Sequence, residues 1–536
     1  MHRSGNIIKS TFKHAVIYSG AGIIGKAIGF LMLPVYAHYL RGEGYGILGM
    51  IDVLLSVLVL LIGYGISGAM ERFYFEKSTE KERNILVSTT LFVMFFLVIF
   101  VSTPALLFVK PIAKLAFGKA EYSYFVLIAI LSFIFEMTGK TAESYLLIKQ
   151  RSVFVSAIAL ARLLLGLFLN IYLIVILQMG VLGYLYSGLV CALIFSLFNH
   201  LYAFLKVGFN FRKSDARDIL KFSIPLLPGY VAMFIKNNAN RVILRGYMGL
   251  AELGTFEMLF KFASLIGILV MEPFHKIWSV KRFEICDENG GANTMARVFT
   301  LYLSILCLMG LMLSLEVPIA LKILTPDEFW VGTSIVVLAV ASRILLASYY
   351  HFFFGLLYVK KTHLISLIQF ITTAVNVVGS FILIKPFGIL GAVLVSCITS
   401  LSQCILGYIW GQKYYFIPFE WANIIKVTSL ACVLFVIVNQ ASVSMLGIGA
   451  WLNQTIAPVI RDTLDALHLD AIRHGKLVEY VLGNFPLVVE GGIKFLLGLL
   501  FIPGLVLLGI IPRSFMSKAF SLQTVKNPFT LMSSVK

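Results

Sequence analysis

The residues of this sequence that could do chemistry are charges set in an apolar surrounding. Lys26, Lys140, Arg162, Lys236, Arg241, Lys261, Arg343 and Lys494 stand in or beside long apolar runs, as do Asp52, Glu136, Glu143, Glu257 and Glu272. A charge at the centre of a bilayer costs at least about 2.5–3.5 kcal/mol on insertion scales, so such a set predicts a polar interior. Glu136 and Lys140 are four residues apart, as are Glu257 and Lys261, which is the spacing of a self-neutralising pair on one helix face. Lys26, Arg162, Lys236, Arg241 and Arg343 have no acid at helical spacing. Snorkelling toward water accounts for a cation near a span end, such as Arg241. Lys26 either bridges through space to Asp52 or Glu272, or joins the others in an electropositive cavity for an anionic group such as a phosphate or pyrophosphate. The substrate-binding candidates are therefore Lys26, Arg162, Lys236, Arg241, Lys261 and Arg343. Asp52, Glu136, Glu257 and Glu272 are the candidate coupling acids.

Composition fixes the kind of element that holds these charges. The chain has 536 residues, 59% apolar and 13% charged, with mean hydropathy +0.92. Soluble domains carry about 25% charged residues, so a cytosolic globular enzyme is excluded. The net charge of +18 fits basic loops held on the cytoplasmic side of a membrane better than nucleic-acid binding, and no nucleic-acid partner is expected. Six cysteines without a Cys-x-x-Cys spacing imply neither a disulfide framework nor a zinc site. No cleavable signal peptide, metal or cofactor is expected. Gly20-Ala-Gly22-Ile-Ile-Gly25 matches a dinucleotide fingerprint by letter, but it lies inside an apolar run and reads as close helix packing.

A membrane helix needs about 20 mostly apolar residues. The chain offers fourteen such runs: 15–40, 46–70, 85–109, 124–148, 153–178 and 181–205; 219–244, 253–279, 298–323, 331–358, 363–385 and 387–411; then 424–448 and 489–511. The connections that would face one side hold most of the lysines and arginines, among them Arg72, Lys77, Lys149, Arg151, Lys206, Arg212, Lys281, Lys360 and Arg513. That bias puts both termini in the cytoplasm of a multi-pass inner-membrane protein. The segment 450–488 places Ile456, Ile460, Leu464, Leu467 and Ala471 at helical spacing and reads as an amphipathic helix on the outer surface.

The first two sets of six spans read as a duplication. Sliding residues 39–76 by 208 positions pairs Tyr39 with Tyr247, Gly46 with Gly254, Met50 with Met258, Ser56 with Ser264 and Glu76 with Glu284, and the same offset lays Gly180 and Gly183 on Gly388 and Gly391. The expected architecture is an all-α polytopic membrane protein: a bundle over 1–205, its repeat over 206–412 with a central cleft between them, and two added spans in 413–536. Such parallel repeats support alternating access.

At this point the residues resemble a known family. Gly25-Lys26-Ala-Ile-Gly29-Phe30-Leu-Met-Leu-Pro34-Val-Tyr36, followed by Glu43-Gly44-Tyr45-Gly46, is similar to the first-span signature of bacterial polysaccharide (O-antigen type) flippases. These belong to the multidrug/oligosaccharidyl-lipid/polysaccharide exporter superfamily. Asn240-Arg241-Val-Ile-Leu and Trp278-Ser-Val-Lys-Arg282-Phe283-Glu284 resemble the corresponding second-half region. The resemblance implies movement of undecaprenyl-pyrophosphate-linked oligosaccharide from the inner to the outer leaflet for surface polysaccharide such as lipopolysaccharide. Its implied partners are the lipid-linked oligosaccharide, membrane lipid, a polysaccharide polymerase and glycosyltransferases. Lys26 stands where related peptidoglycan-precursor flippases carry an arginine, while Leu31, Met32 and Leu33 stand where those relatives carry a further charged pair. Two alternatives are a cation-coupled multidrug exporter of the same superfamily, in which intramembrane acids dominate, and a non-transporting scaffold for polysaccharide assembly.

Overall fold

The computed structural model describes residue 25 and residues 28–62, 65–149, 151–440 and 476–511. The regular structure among them is helical throughout, and eleven of these helices are long and apolar enough to cross a membrane. A helix satisfies its backbone hydrogen bonds within its own segment, which hydrocarbon requires. The surface is apolar as well. Phe95, Phe96, Phe100, Leu160, Leu164, Phe168, Leu197, Leu201 and Leu205 are all exposed, as suits side chains solvated by lipid.

The sequence places several helix breaks where the structure has them. Predicted spans 363–385 and 387–411 are one 53-residue helix, Thr362–Tyr414, broken at Gly388 (φ 54°, ψ −127°) two residues after Pro386. Pro386 cannot donate the helical hydrogen bond, and Gly388 takes a left-handed angle at little cost. The helix Leu33–Ile62 is non-helical at Arg41 (φ 59°), between predicted spans 15–40 and 46–70. Predicted span 253–279 runs on to Cys286 in three pieces: Leu250–Ala263, a π-turn Gly267–Met271, and Glu272–Cys286 opened by Pro273.

Predicted span 219–244 is realised differently. A short amphipathic helix, Lys213–Ser223, is followed by the turn Ile224–Leu226 carrying Pro225, and the longer helix is Leu227–Met248. With Lys236, Asn237, Asn238, Asn240 and Arg241 along it, Leu227–Met248 is too polar to count among the eleven. Of the predicted surface segment 450–488, residues up to 475 lie outside the described residues, and the rest belongs to the helix Lys476–Gly498.

The described residues fall into two compact units. One comprises the chain up to Met258 together with Gln369–Val395. In it, Ser123–Ile148 packs along Gly180–Val207, close enough that a Cβ on Gly139 would lie 3.0 Å from Ser196. The loop after Val207 is tied down where Asn210 and Arg212 donate their N–H groups to Ser88 Oγ and Thr89 Oγ1 at 2.9 and 3.0 Å. The buried acid beside it, Asp215, accepts Lys77 at 2.8 Å.

The second unit comprises Leu259–Ile368 and the described residues from Ser396 onward. Its core gathers Trp278, Met295, Phe299, Leu303, Phe354, Phe419, Val427 and Phe501. The late helices pack into this unit through small residues. A Cβ on Gly498 would lie 2.9 Å from Met312, and one on Gly504 2.8 Å from Leu430. Trp421–Gln440 and Pro486–Leu507 are thereby fastened to their own unit.

Candidate functional site

The first unit brings several of the predicted charges into defined groups. Arg241, on Leu227–Met248, grips Glu257, on Leu250–Ala263: Nε lies 2.6 Å from Oε1 and Nη2 donates to Oε2 at 2.9 Å. The Glu257 side chain is 10% exposed and that of Arg241 27%. The pair combines one charge-assisted hydrogen bond with a second close ion contact, which makes it a strong interaction. The sequence offers Glu257 to Lys261, one turn away, yet its carboxylate meets Arg241 from the neighbouring helix.

The second group centres on Glu136, on Ser123–Ile148. Its Oε1 lies 3.0 Å from Lys140 Nζ, as the four-residue spacing predicts, and 3.6 Å from Arg162 Nη2 on Ser152–Asn170. The Glu136 carboxylate thus serves two cations, and Glu143 is a second acid within electrostatic reach of the same Lys140 and Arg162. Glu143 lies half-buried one turn beyond Lys140 on the same helix.

Lys236 is half-buried and donates from Nζ to the side-chain oxygen of Gln369. Among the described residues it has no carboxylate partner, so this cation is held by a neutral amide. Its helix is pinned along the same seam. Thr373 Oγ1 donates to the Ala232 carbonyl at 3.3 Å, and buried Asn240 accepts from Ser380 Oγ at 2.6 Å while donating to the Ala392 carbonyl at 3.3 Å. Asp52 is exposed, and its main-chain carbonyl accepts from Ser56 Oγ at 2.7 Å.

An aromatic and amide cluster in this unit went unread in the sequence. Asn170 Nδ2 donates to Tyr36 Oη at 2.9 Å, and the Tyr36 ring meets Tyr184 edge-on at 5.6 Å. Tyr36 and Tyr184 are far apart in the chain, and nothing in their spacing signals the contact.

The remaining candidates lie in the second unit. Arg343 places its guanidinium 5.0 Å from the centroid of Phe260. Lys261 and Glu272 are exposed. His351 is buried among Phe274, Trp278, Phe299 and Tyr302, with neither ring nitrogen hydrogen-bonded. Lys494 is buried and pairs with Glu490 at 2.7 Å, and Gly491 on the same helix sits against Glu316. Lys26 lies outside the described residues. No group of three His, Cys, Asp or Glu side chains among the described residues is placed to hold a metal ion. The groups that are described can hold an anion by charge-assisted hydrogen bonds, the chemistry that suits a phosphate oxygen.

Comparison with known proteins places the sequence and the fold. Residues 12–276 match the family described as Polysaccharide biosynthesis protein. A protein of the Lsg locus of Haemophilus influenzae is 25% identical over 261 residues, 48% of this chain and 63% of that protein's length. An uncharacterised membrane protein of Methanocaldococcus jannaschii is 22% identical over 424 residues, 74% of this chain and 97% of the relative. Among solved structures, the lipid II flippase MurJ in an inward closed conformation superposes with TM-score 0.69 at 13% identity, covering 92% of this chain and all of the other. An inward-facing multidrug-resistance transporter of the MATE family, in the MOP superfamily, superposes with TM-score 0.53 at 16% identity over 74% of this chain and 94% of its own. Residues 12–276 thus resemble the polysaccharide biosynthesis protein family, and the chain shares its fold with the lipid II flippase MurJ and with the MATE-family transporter.

Proposed function

We propose that this protein flips undecaprenyl-pyrophosphate-linked oligosaccharide from the inner to the outer leaflet of the cytoplasmic membrane, for surface polysaccharide biosynthesis. The observation that carries this reading is Lys236, a cation in the membrane-embedded chain whose partner is the uncharged amide of Gln369. Such a charge is costly unless water or an anion reaches it, and it marks a substrate or ion pathway. Lys140 and Arg162, two cations around Glu136, support the same cargo, and Lys26 and Arg343 are proposed as further substrate-binding cations. Aromatic and amide groups such as Tyr36, Tyr184 and Asn170 suit a sugar, which offers both apolar faces and hydroxyls. The fold shared with a lipid II flippase fits a lipid-linked substrate.

The proposed mechanism is alternating access by two six-helix bundles, 1–205 and 206–412, with the lipid tail left in the bilayer beside the last two spans. Support for the duplication comes from helix packing. A Cβ on Gly46 would fall 1.8 Å from the Leu250 carbonyl oxygen, and one on Gly254 1.9 Å from that of Gly42. Exchanging equivalent positions of the two halves, 46 with 254 and 42 with 250, turns each contact into the other. A negative-inside potential favours outward movement of an anionic head by about 2.3 kcal/mol per charge per 100 mV.

The test is flipping of fluorescently labelled undecaprenyl-pyrophosphate oligosaccharide in proteoliposomes by the wild type, Lys26→Ala and Lys236→Ala. The expected result is transport by the wild type and a loss of about tenfold or more in each variant, consistent with the strength of charge-assisted hydrogen bonds. Equal rates in all three would overturn the reading.

A further inference from the structure

A separate site opens at one end of the first unit, away from the groups discussed above. There the start of Glu80–Leu107 and the ends of Ser123–Ile148 and Gly180–Val207 enclose a cavity of about 210 Å³. Lys149, Arg151 and Lys206 line it with the rings of Tyr145 and Tyr202. Lys149 is already engaged: it donates to Glu80 and lies against the rings of Tyr74 and Tyr145, at 5.7 and 5.8 Å from their centroids. Arg151 and Lys206 are exposed and have no acidic partner among the described residues. Three cations against the one carboxylate of Glu80 leave the cavity electropositive.

We propose that this cavity binds a phosphate group, presented by the headgroup of an anionic phospholipid of the surrounding membrane. The size argues for a headgroup. Drug-sized ligands occupy roughly 300–1,000 Å³, so this space takes a phosphate with a short polar stub and leaves acyl chains outside. Those chains have a surface ready for them, because Leu147, Val153, Leu201 and Leu205 are exposed beside the basic residues in sequence. Guanidinium, ammonium and phenol O–H groups all donate, which matches an acceptor-only phosphate. The cavity also lies at the helix ends that the lysine and arginine bias assigns to the cytoplasm, where basic pockets between membrane helices meet anionic headgroups.

The test uses the full chain, purified in mild detergent, and native mass spectrometry with phosphatidylglycerol, phosphatidylcholine or inorganic phosphate as the added probe. Arg151→Ala with Lys206→Ala is compared with wild type, and Glu80→Gln serves as a variant of opposite sign. Wild type is expected to retain phosphatidylglycerol over phosphatidylcholine. The double variant is expected to weaken that binding by about 25-fold, at roughly fivefold per basic side chain near an anionic surface, and Glu80→Gln to tighten it. Displacement of the lipid by millimolar phosphate supports the shared phosphate chemistry. Phosphate bound without any lipid preference keeps the phosphate site and moves its source to the free anion. Wild type and double variant binding both probes equally overturns the proposal, as does a double variant that unfolds earlier than wild type in lipid-free detergent.

Discussion

Gly46 and Gly254 occupy equivalent places in one reciprocal helix contact: the backbone at Gly46 abuts Leu250, and the backbone at Gly254 abuts Gly42. With no room for a Cβ at either position, helices Leu33–Ile62 and Leu250–Ala263 approach as closely as small residues allow, the mode by which membrane helices gain dispersion energy without a hydrophobic drive between them. Gly46→Ala is expected to destabilise the purified protein by at least about 1–3 kcal/mol, the usual cost of overpacking. Gly68→Ala meets nothing within 4 Å and is expected to be neutral or slightly stabilising, because alanine favours a helix over glycine. Thermal unfolding of the two variants checks this, and a wild-type melting temperature for Gly46→Ala would refute the contact.

Arg241 and Glu257 form a close, hydrogen-bonded ion pair on neighbouring helices. Removing one partner of a buried pair commonly costs 3–5 kcal/mol, roughly, because the other charge is stranded. Arg241 keeps some access to solvent, which lowers the expected cost of Glu257→Ala to about 1–3 kcal/mol. A double-mutant cycle of Arg241→Ala and Glu257→Ala, read by denaturant unfolding, should return a coupling energy of about 0.5–3 kcal/mol. Strict additivity of the two substitutions would show that the ion pair contributes nothing.

What the sequence reveals and what it hides divide along the range of the interaction. The break at Gly388 is legible because Pro386 and Gly388 act on their own backbone. The Glu136–Lys140 pair is legible because four residues are one helical turn. The partner of Arg241 is hidden, since Glu257 lies on another helix and sequence spacing offers it equally to Lys261. Arg162 reaches Glu136 across helices in the same way, and Lys236 finds Gln369 far along the chain. Proline placement explains the shift of predicted span 219–244: Pro225 and Pro228 disfavour a continuous helix through the turn, which hydropathy alone does not register. The cavity between Lys149, Arg151 and Lys206 needs three helix ends to converge, and no single stretch of sequence encodes that.

The membrane span closes at Ser279, and Cys286 ends the helical extension beyond it, with Sγ within reach of two acceptors, the Phe283 carbonyl at 3.1 Å and Asp287 Oδ1 at 3.6 Å. Burial, with the neighbouring Asp287 charge, pushes its thiol above the ordinary value. The raised value means less thiolate at neutral pH, and the thiolate is the nucleophile. In a variant keeping Cys286 as the single cysteine, labelling by N-ethylmaleimide is expected to be slow at about pH 7.5 and to keep accelerating beyond the usual thiol range of about 8.5. Asp287→Asn should move that rise to lower pH, because it removes a negative charge. A rate that levels off below the usual thiol value in the parent would contradict the burial argument.

The group of Glu136, Lys140 and Arg162 separates an anionic cargo from a coupling cation. Its side chains are between a third and a little over half exposed, so the pairs add at most about 1 kcal/mol to stability. Glu136→Gln is therefore expected to fold like wild type while raising the local positive charge by one. If the group meets a pyrophosphate, that added field strengthens attraction: the KM for labelled lipid-linked oligosaccharide falls a few-fold, and Arg162→Gln raises it. Because the attraction is Coulombic and partly solvated, both effects should shrink as ionic strength rises. A cation-coupled exporter demands the reverse, since Glu136 would then carry the coupling ion, and losing its carboxylate would abolish transport. Proteoliposome kinetics of the two variants at low and high salt decide the question. Abolished transport in Glu136→Gln beside unaltered transport in Arg162→Gln would shift the chemistry of this group from binding an anion to carrying a cation.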